Sequence, residues 1–112
     1  MRLSYEKLDV YQVSIKFITI TSRIIEGSPK GHSGIIDQLR RASISIPLNI
    51  AEASGKTGDK DRRRFFAIAR GSAMECGAII DIFKAQNLND EGLLTQAKRY
   101  LVRIVSMLTK LC

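Results

Sequence analysis

The stretch Gln38-Leu39-Arg40-Arg41-Ala42-Ser43-Ile44-Ser45-Ile46-Pro47-Leu48-Asn49-Ile50-Ala51-Glu52-Ala53-Ser54 constrains the fold more than any other part of the chain. On a helix turning about 100° per residue, it divides into three arcs. Leu39, Ala42, Ile46, Ile50 and Ala53, with Ile35 just upstream, form an apolar arc suited to an intramolecular core. Gln38, Arg41, Ser45, Asn49 and Glu52 fall together on a polar arc beside it. Ile44, Pro47, Leu48 and Ala51 make a second apolar patch on the far side, where a helix of a small bundle ordinarily meets water. One copy of the chain cannot easily bury that patch, so these four residues are the candidate oligomer interface.

Pro47 removes a backbone donor and crowds the Ser43 carbonyl, which costs about 3 kcal/mol in a helix interior. The apolar period continues through it and predicts one proline-kinked helix; the alternative is two shorter helices separated at the proline. On the polar arc, Arg41 and Glu52 stand about three turns apart, too far to touch within one straight helix. If buried, each needs a partner on another helix or subunit, because an uncompensated buried charge is strongly destabilising. Gln38, Arg41, Ser45, Asn49 and Glu52 are then a structural polar network. If solvated, Asp37 with Arg41 and Glu52 with Lys56 have i,i+4 spacing, each pair worth about 0.2–0.5 kcal/mol.

The remaining sequence supplies three more helices. Asp9 is placed to cap one with Val10, Tyr11, Phe17, Ile18, Ile24 and Ile25 at helical spacing, ended by Gly27-Ser28-Pro29-Lys30-Gly31. Ser33 offers a cap for the second helix, which runs to Ser54. Asp59 or Asp61 can cap the third, where Phe65, Ala69, Ser72, Cys76, Ile79 and Phe83 alternate steps of four and three in an a/d seam. Asn87 to Asn89 closes it, and Leu94, Ala97, Leu101, Ile104, Leu108 and Leu111 repeat the spacing to the end.

The expected helices are about 9–26, 33–54, 60–87 and 90–111, in a single domain over 1–112. Loops of only a few residues leave no room for crossover connections. The expected fold is therefore all-α, an antiparallel up-and-down four-helix bundle with a proline-kinked second helix.

A composition of 45% hydrophobic and 26% charged residues is that of a globular chain. Its net charge of +7 makes polyanions the first partners to consider. Lys56, Lys60, Arg62, Arg63 and Arg64 crowd the second loop and the start of helix three, offset in part by Asp59 and Asp61. Arg63 and Arg70 share the outer face of that helix, and Arg99, Arg103 and Lys110 lie opposite the leucine face of helix four. These nine residues are the candidate nucleic-acid-binding set, for RNA or DNA. Aromatic residues do not interleave with them, so the expected binding is electrostatic and weakly sequence-specific. A solvated surface is the plain alternative.

Catalytic chemistry finds little to work with. The single histidine, His32, lies in a Gly/Ser-rich loop; no Glu-x-x-His pair of the di-iron type occurs, and no arginine precedes His32 at the spacing of an Arg-x4-6-His ribonuclease motif. Gly55-Lys56-Thr57 lacks the upstream glycine of a phosphate loop. Cys76 and Cys112 make neither a metal-type pair nor a disulfide framework, and Cys76 is expected as a buried thiol. No apolar run approaches the roughly 18 residues of a membrane span and no secretory leader opens the chain. The expectation is a cytoplasmic, non-enzymatic protein without cofactor, metal or membrane contact.

Asp9-Val10-Tyr11-Gln12, the stretch Gln38 to Glu52, and Arg64-Phe65-Phe66-Ala67-Ile68-Ala69-Arg70-Gly71-Ser72 resemble the four-helix-bundle family typified by proteins encoded in bacterial 23S rRNA intervening sequences. The resemblance spans nearly the whole chain. It implies a bacterial bundle that assembles as a homopentamer with a basic surface and no assigned enzymatic activity. A related branch comprises accessory proteins of diversity-generating retroelements, which bind a reverse transcriptase and nucleic acid. This chain departs from the family where Ala53 and Ser54 separate Glu52 from Gly55, and where Asp59 and Asp61 dilute the basic loop. The combined expectation is a homo-oligomer, pentameric by resemblance, that binds RNA, DNA or a nucleic-acid enzyme such as a reverse transcriptase. A protein-binding adaptor without nucleic acid is the alternative.

Overall fold

The computed structural model describes residues 3–112. A short 3-10 helix, Ser4–Lys7, leads into α1 (Asp9–Glu26), α2 (Ser33–Ser54), α3 (Asp59–Ala85) and α4 (Glu91–Thr109). α1 packs on α2 and α4, and α3 packs on α2 and α4; the diagonal pairs do not meet. The cross-section is thus a square with helices in chain order around it, as short connections require. No strand occurs among the described residues.

α2 runs unbroken through Pro47, so the two-helix alternative does not hold. Pro47 itself is buried, not on the outer face. It shares with Ser43, Ile46 and Ile50 the shoulder of α2 that turns inward, because a helix with two neighbours buries a wider arc than one seam would require.

The same reason widens α3. Ala69, Cys76, Ile79 and Phe83 are buried as their spacing predicts, but Phe66, Ala73 and Ile80 are buried too, whereas Phe65 and Ser72 lie at the margin. In α4, Leu94, Ala97, Leu101, Ile104 and Leu108 form the core face. Leu111 departs from that expectation: the helix has ended and the side chain is 37% exposed.

Helix starts differ from the sequence expectation in detail. Leu8, His32 and Gly58 hold the capping positions of α1, α2 and α3, with no side-chain cap bond. Asp9, Asp59 and Asp61 sit inside the first turns, where a negative charge still complements the helix dipole. Only α4 has a side-chain cap: Leu93 N–H donates to Asp90 Oδ2 at 3.0 Å. At the close of α3, Asn87 takes a left-handed φ of 53° and lets Leu88 N–H reach the Phe83 carbonyl at 3.0 Å. Asn89 Nδ2 then donates to the Ile24 carbonyl at 2.7 Å, tying the α3–α4 loop to the end of α1.

The core centres on Phe17, Ile24, Leu39, Ile46, Ile50, Ile80, Phe83, Leu94, Ile104 and Leu108. Its hydroxyls are answered locally: Thr21 donates to the Phe17 carbonyl at 2.9 Å and Ser43 to the Arg40 carbonyl at 3.0 Å. Between α2 and α3, Ala42, Ala53, Ala69 and Ala73 are buried. Side chains this small let the two helices approach closely, and Ser45 Oγ stands 2.8 Å from Ser72 Oγ.

Two stability experiments follow from this core. Phe17→Ala removes a wholly buried ring, and denaturant titration will show a loss of about 3–5 kcal/mol. Burial, with a smaller contribution from Glu75, pushes the Cys76 thiol from 9.0 up to about 12. A raised thiol pKa leaves stability intact below the unfolded value; above it the unfolded chain ionises first and stability falls as pH climbs toward the folded value. Unfolding midpoints between pH 9 and 12 will therefore drop more steeply for the wild type than for Cys76→Ala.

Candidate functional site

Along the α1–α2 edge an apolar face remains open to solvent. Leu48 is 63% exposed and Ile44 44%, with Ala51 half-buried between them and the bundle. α1 contributes its own shoulder: Tyr11, Ile15 and Ile18 join Ile44, Pro47, Leu48 and Ala51 around a hollow of about 320 Å³, closed at one end by Tyr5. Tyr5 and Tyr11 meet edge to face with ring centres 4.8 Å apart. Burial, then the neighbouring Tyr5 and Glu6, raise the Tyr11 hydroxyl above its ordinary range. Of the four residues expected at an interface, three reach this face and Pro47 forms its floor.

A second apolar hollow, of about 440 Å³, lies between α3 and α4. Ala73, Gly77 and Ala78 give α3 a shallow profile there, while Met74 and Val102 stand up at 55% and 63% exposure. The Asp81–Lys98 ion pair marks one end. Helical spacing contained the signal for it: Val102 and Val105 fall beside, not on, the Leu94–Leu108 core face, and Met74 and Ala78 do the same on α3.

The polar arc of α2 comes together only in part. Ser45 bonds across to Ser72, and Asn49 Nδ2 donates to the Ser45 carbonyl at 2.8 Å and to Ser45 Oγ at 3.0 Å. Gln38 and Arg41 border a hollow of about 270 Å³ with Ser45, Ser72 and Glu75, yet both are exposed. Asp37 pairs with Arg40 at 3.3 Å, not with Arg41, since the three-residue step brings Arg40 to the same side. Glu52 is exposed and pairs with Lys56 at 3.3 Å. Neither Arg41 nor Glu52 is thus a buried charge.

The basic residues occupy two regions. Lys56, Lys60, Arg62, Arg63 and Arg64 gather at the α2–α3 corner, where Arg62 approaches Asp59 at 3.8 Å and Arg64 approaches Asp61 at 3.9 Å. Exposed pairs at such distances leave most of the guanidinium charge available. Phe65 overturns the expectation of basic faces without aromatic neighbours: Lys56 Nζ lies 5.0 Å and Arg64 Cζ 4.6 Å from its ring centre. The ring is half-buried at the margin of α3, within reach of the α2–α3 loop. Arg70 turns toward α4 instead of outward, its Nε donating to Thr109 Oγ1 at 2.9 Å. Arg99, Arg103 and Lys110 are exposed on α4.

His32 is half-buried at the start of α2, where its carbonyl accepts from Ile36 N–H at 3.1 Å. Among the described residues no group of His, Cys, Asp and Glu is arranged to hold a metal ion. No described helix is long and apolar enough to cross a membrane.

A search of curated proteins found no match to the chain. The family model described as 23S rRNA-intervening sequence protein matches residues 6–110, which include the whole of all four α-helices. The three motifs quoted above all fall within that match, and the chain belongs to the 23S rRNA-intervening sequence protein family.

Proposed function

We propose that the protein is a non-catalytic, cytoplasmic homo-oligomer, a pentamer, that presents basic helices to RNA or DNA, alone or beside a nucleic-acid enzyme such as a reverse transcriptase. The observation that carries the assembly is the open α1–α2 face. Leu48 at 63% exposure, with Ile44 beside it, leaves apolar side chains in water at the middle of a helix that otherwise packs well. Fully burying one such side chain is worth about 1.5–3 kcal/mol, and each copy added repeats the gain. Electrostatics supports the second half of the reading. The corner cations and the α4 row give a chain of net charge +7 extended regions for phosphates. Half-buried Phe65, flanked by two cations, adds an apolar surface for a base at the corner.

Light scattering at micromolar concentration tests assembly directly. The wild type will elute as a multimer, and Leu48→Lys will dissociate it while leaving helicity intact. A wild-type monomer would refute the assembly, and a Leu48→Lys variant that unfolds would show the face to be core.

Binding to a duplex should weaken with salt along a straight double-logarithmic plot. Because each phosphate contact contributes about 0.9 to the slope, Arg99→Ala with Arg103→Ala will flatten it by about two. Salt-insensitive affinity, or partners in a lysate that survive nuclease treatment, would favour a protein adaptor that uses the apolar face alone.

A further inference from the structure

The α2–α3 corner brings Phe65 together with five cations, and the five are held differently. Lys56 is half-buried, its Nζ 3.3 Å from a Glu52 carboxylate oxygen and 5.0 Å from the Phe65 ring centre. Its backbone is fixed from both sides: Lys56 N–H donates to the Ala53 carbonyl at 3.1 Å, and Arg62 Nη2 donates to the Lys56 carbonyl at the same distance. Arg64 covers the ring loosely. Its Cζ lies 4.6 Å from the ring centre, but the side chain is 61% exposed and approaches Asp61 only at 3.9 Å. Lys60 and Arg63 are exposed one helical turn apart, with no carboxylate in ion-pair contact among the described residues. Ile68, three residues beyond Phe65 and 41% exposed, continues the apolar strip along the same side of α3. We infer that this corner is a site for one unpaired base of a single strand, the ring taking the base and Lys60 and Arg63 the phosphates beside it; the inference rests on the proposed nucleic-acid binding and names the form bound.

A base reaches the ring where Arg64 now lies. An exposed pair at 3.9 Å holds that guanidinium weakly, so it can swing outward and keep its charge beside the entering strand. Lys56, tied to Glu52 and to a fixed backbone, stays where it is. Stacking on the ring is open to every base, because each presents a π face. In a duplex both faces of an interior base are covered by its neighbours, and only the groove edges are free. A half-buried ring at the margin of a helix cannot enter that stack, so it meets a base only where the strand is unpaired. Arg99, Arg103 and Lys110 on α4 make no such contact with a ring among the described residues. Those cations offer charge alone, which a duplex and a single strand can both use.

Two variants separate stacking from charge. Phe65→Leu keeps an apolar side chain at the margin of the core and removes the π face; Phe65→Trp keeps the face and supplies the only tryptophan of the chain. Circular dichroism will show both folded. The probes are a labelled single-stranded oligonucleotide of about ten residues, a blunt duplex of the same sequence and an abasic strand of equal length. In fluorescence anisotropy Phe65→Leu should lose about 5- to 100-fold in affinity for the single strand and keep its affinity for the duplex, with the salt slope on both unchanged. Lys60→Ala with Arg63→Ala should instead flatten the single-strand slope by about 1.4, at about 0.7 per phosphate. Emission from Phe65→Trp should be quenched by the single strand and by neither the duplex nor the abasic strand. Phe65→Leu binding the single strand as tightly as the wild type would overturn the inference, as would equal quenching by the abasic strand; salt-dependent duplex binding would then still stand. A wild type that binds neither form would remove the nucleic-acid reading along with this site.

Discussion

Short connections govern this structure. The segments Gly27–His32, Gly55–Gly58 and Gln86–Asp90 cannot cross the bundle, so each helix must lie against its chain neighbours and α4 must return to α1. Every helix then has two partners, which sets the width of its buried arc. That width explains why Pro47 and Ser43 turn inward with Ile46 and Ile50, and why Phe66, Ala73 and Ile80 share the core with Cys76 and Phe83. It also leaves four outer edges, two of which are apolar.

Much of this was legible in the residues. The run from Leu94 to Leu108 repeats at helical steps, and its side chains are buried where that repeat places them. Leu39, Ala42, Ile46, Ile50 and Ala53 behave the same way on α2, and Ile44 and Leu48 stand outside as their angles require. What angles alone do not contain is the position of neighbouring helices. Pro47 lies near the boundary between outer patch and core, and only the presence of α1 decides the matter. Phe65 was hidden for a related reason: its ring belongs to the seam by spacing, but Lys56 reaches it across a loop that periodicity does not describe. The α3–α4 hollow needs two helices to exist, so spacing marks Met74, Ala78, Val102 and Val105 as lying beside the core faces without showing that they meet.

The division between apolar and charged surface has a functional reading. Cations cluster at the α2–α3 corner and along the outside of α4, whereas the α1–α2 hollow is lined by no charged residue and the α3–α4 hollow holds only the Asp81–Lys98 pair. The proposed assembly of like-charged copies would benefit from that separation, because repulsion between exposed charges is screened within about 10 Å at 0.1 M salt. The partial polar network at Ser45, Asn49 and Ser72 serves a different purpose. It satisfies groups at the α2–α3 junction without committing Arg41, which remains in water.

The bond from Asn89 to the Ile24 carbonyl spans 65 residues. Ser28 Oγ donates to the same carbonyl at 2.6 Å, so the last turn of α1 is closed from within its own loop, and Asn89 adds the tie that fixes the α3–α4 loop to it. The bundle therefore acquires this latch only after α3 is complete. Until α3 and α4 have been made, the α1–α2 hairpin has nothing to cover its apolar inner face, Leu39, Ile46 and Ile50 included.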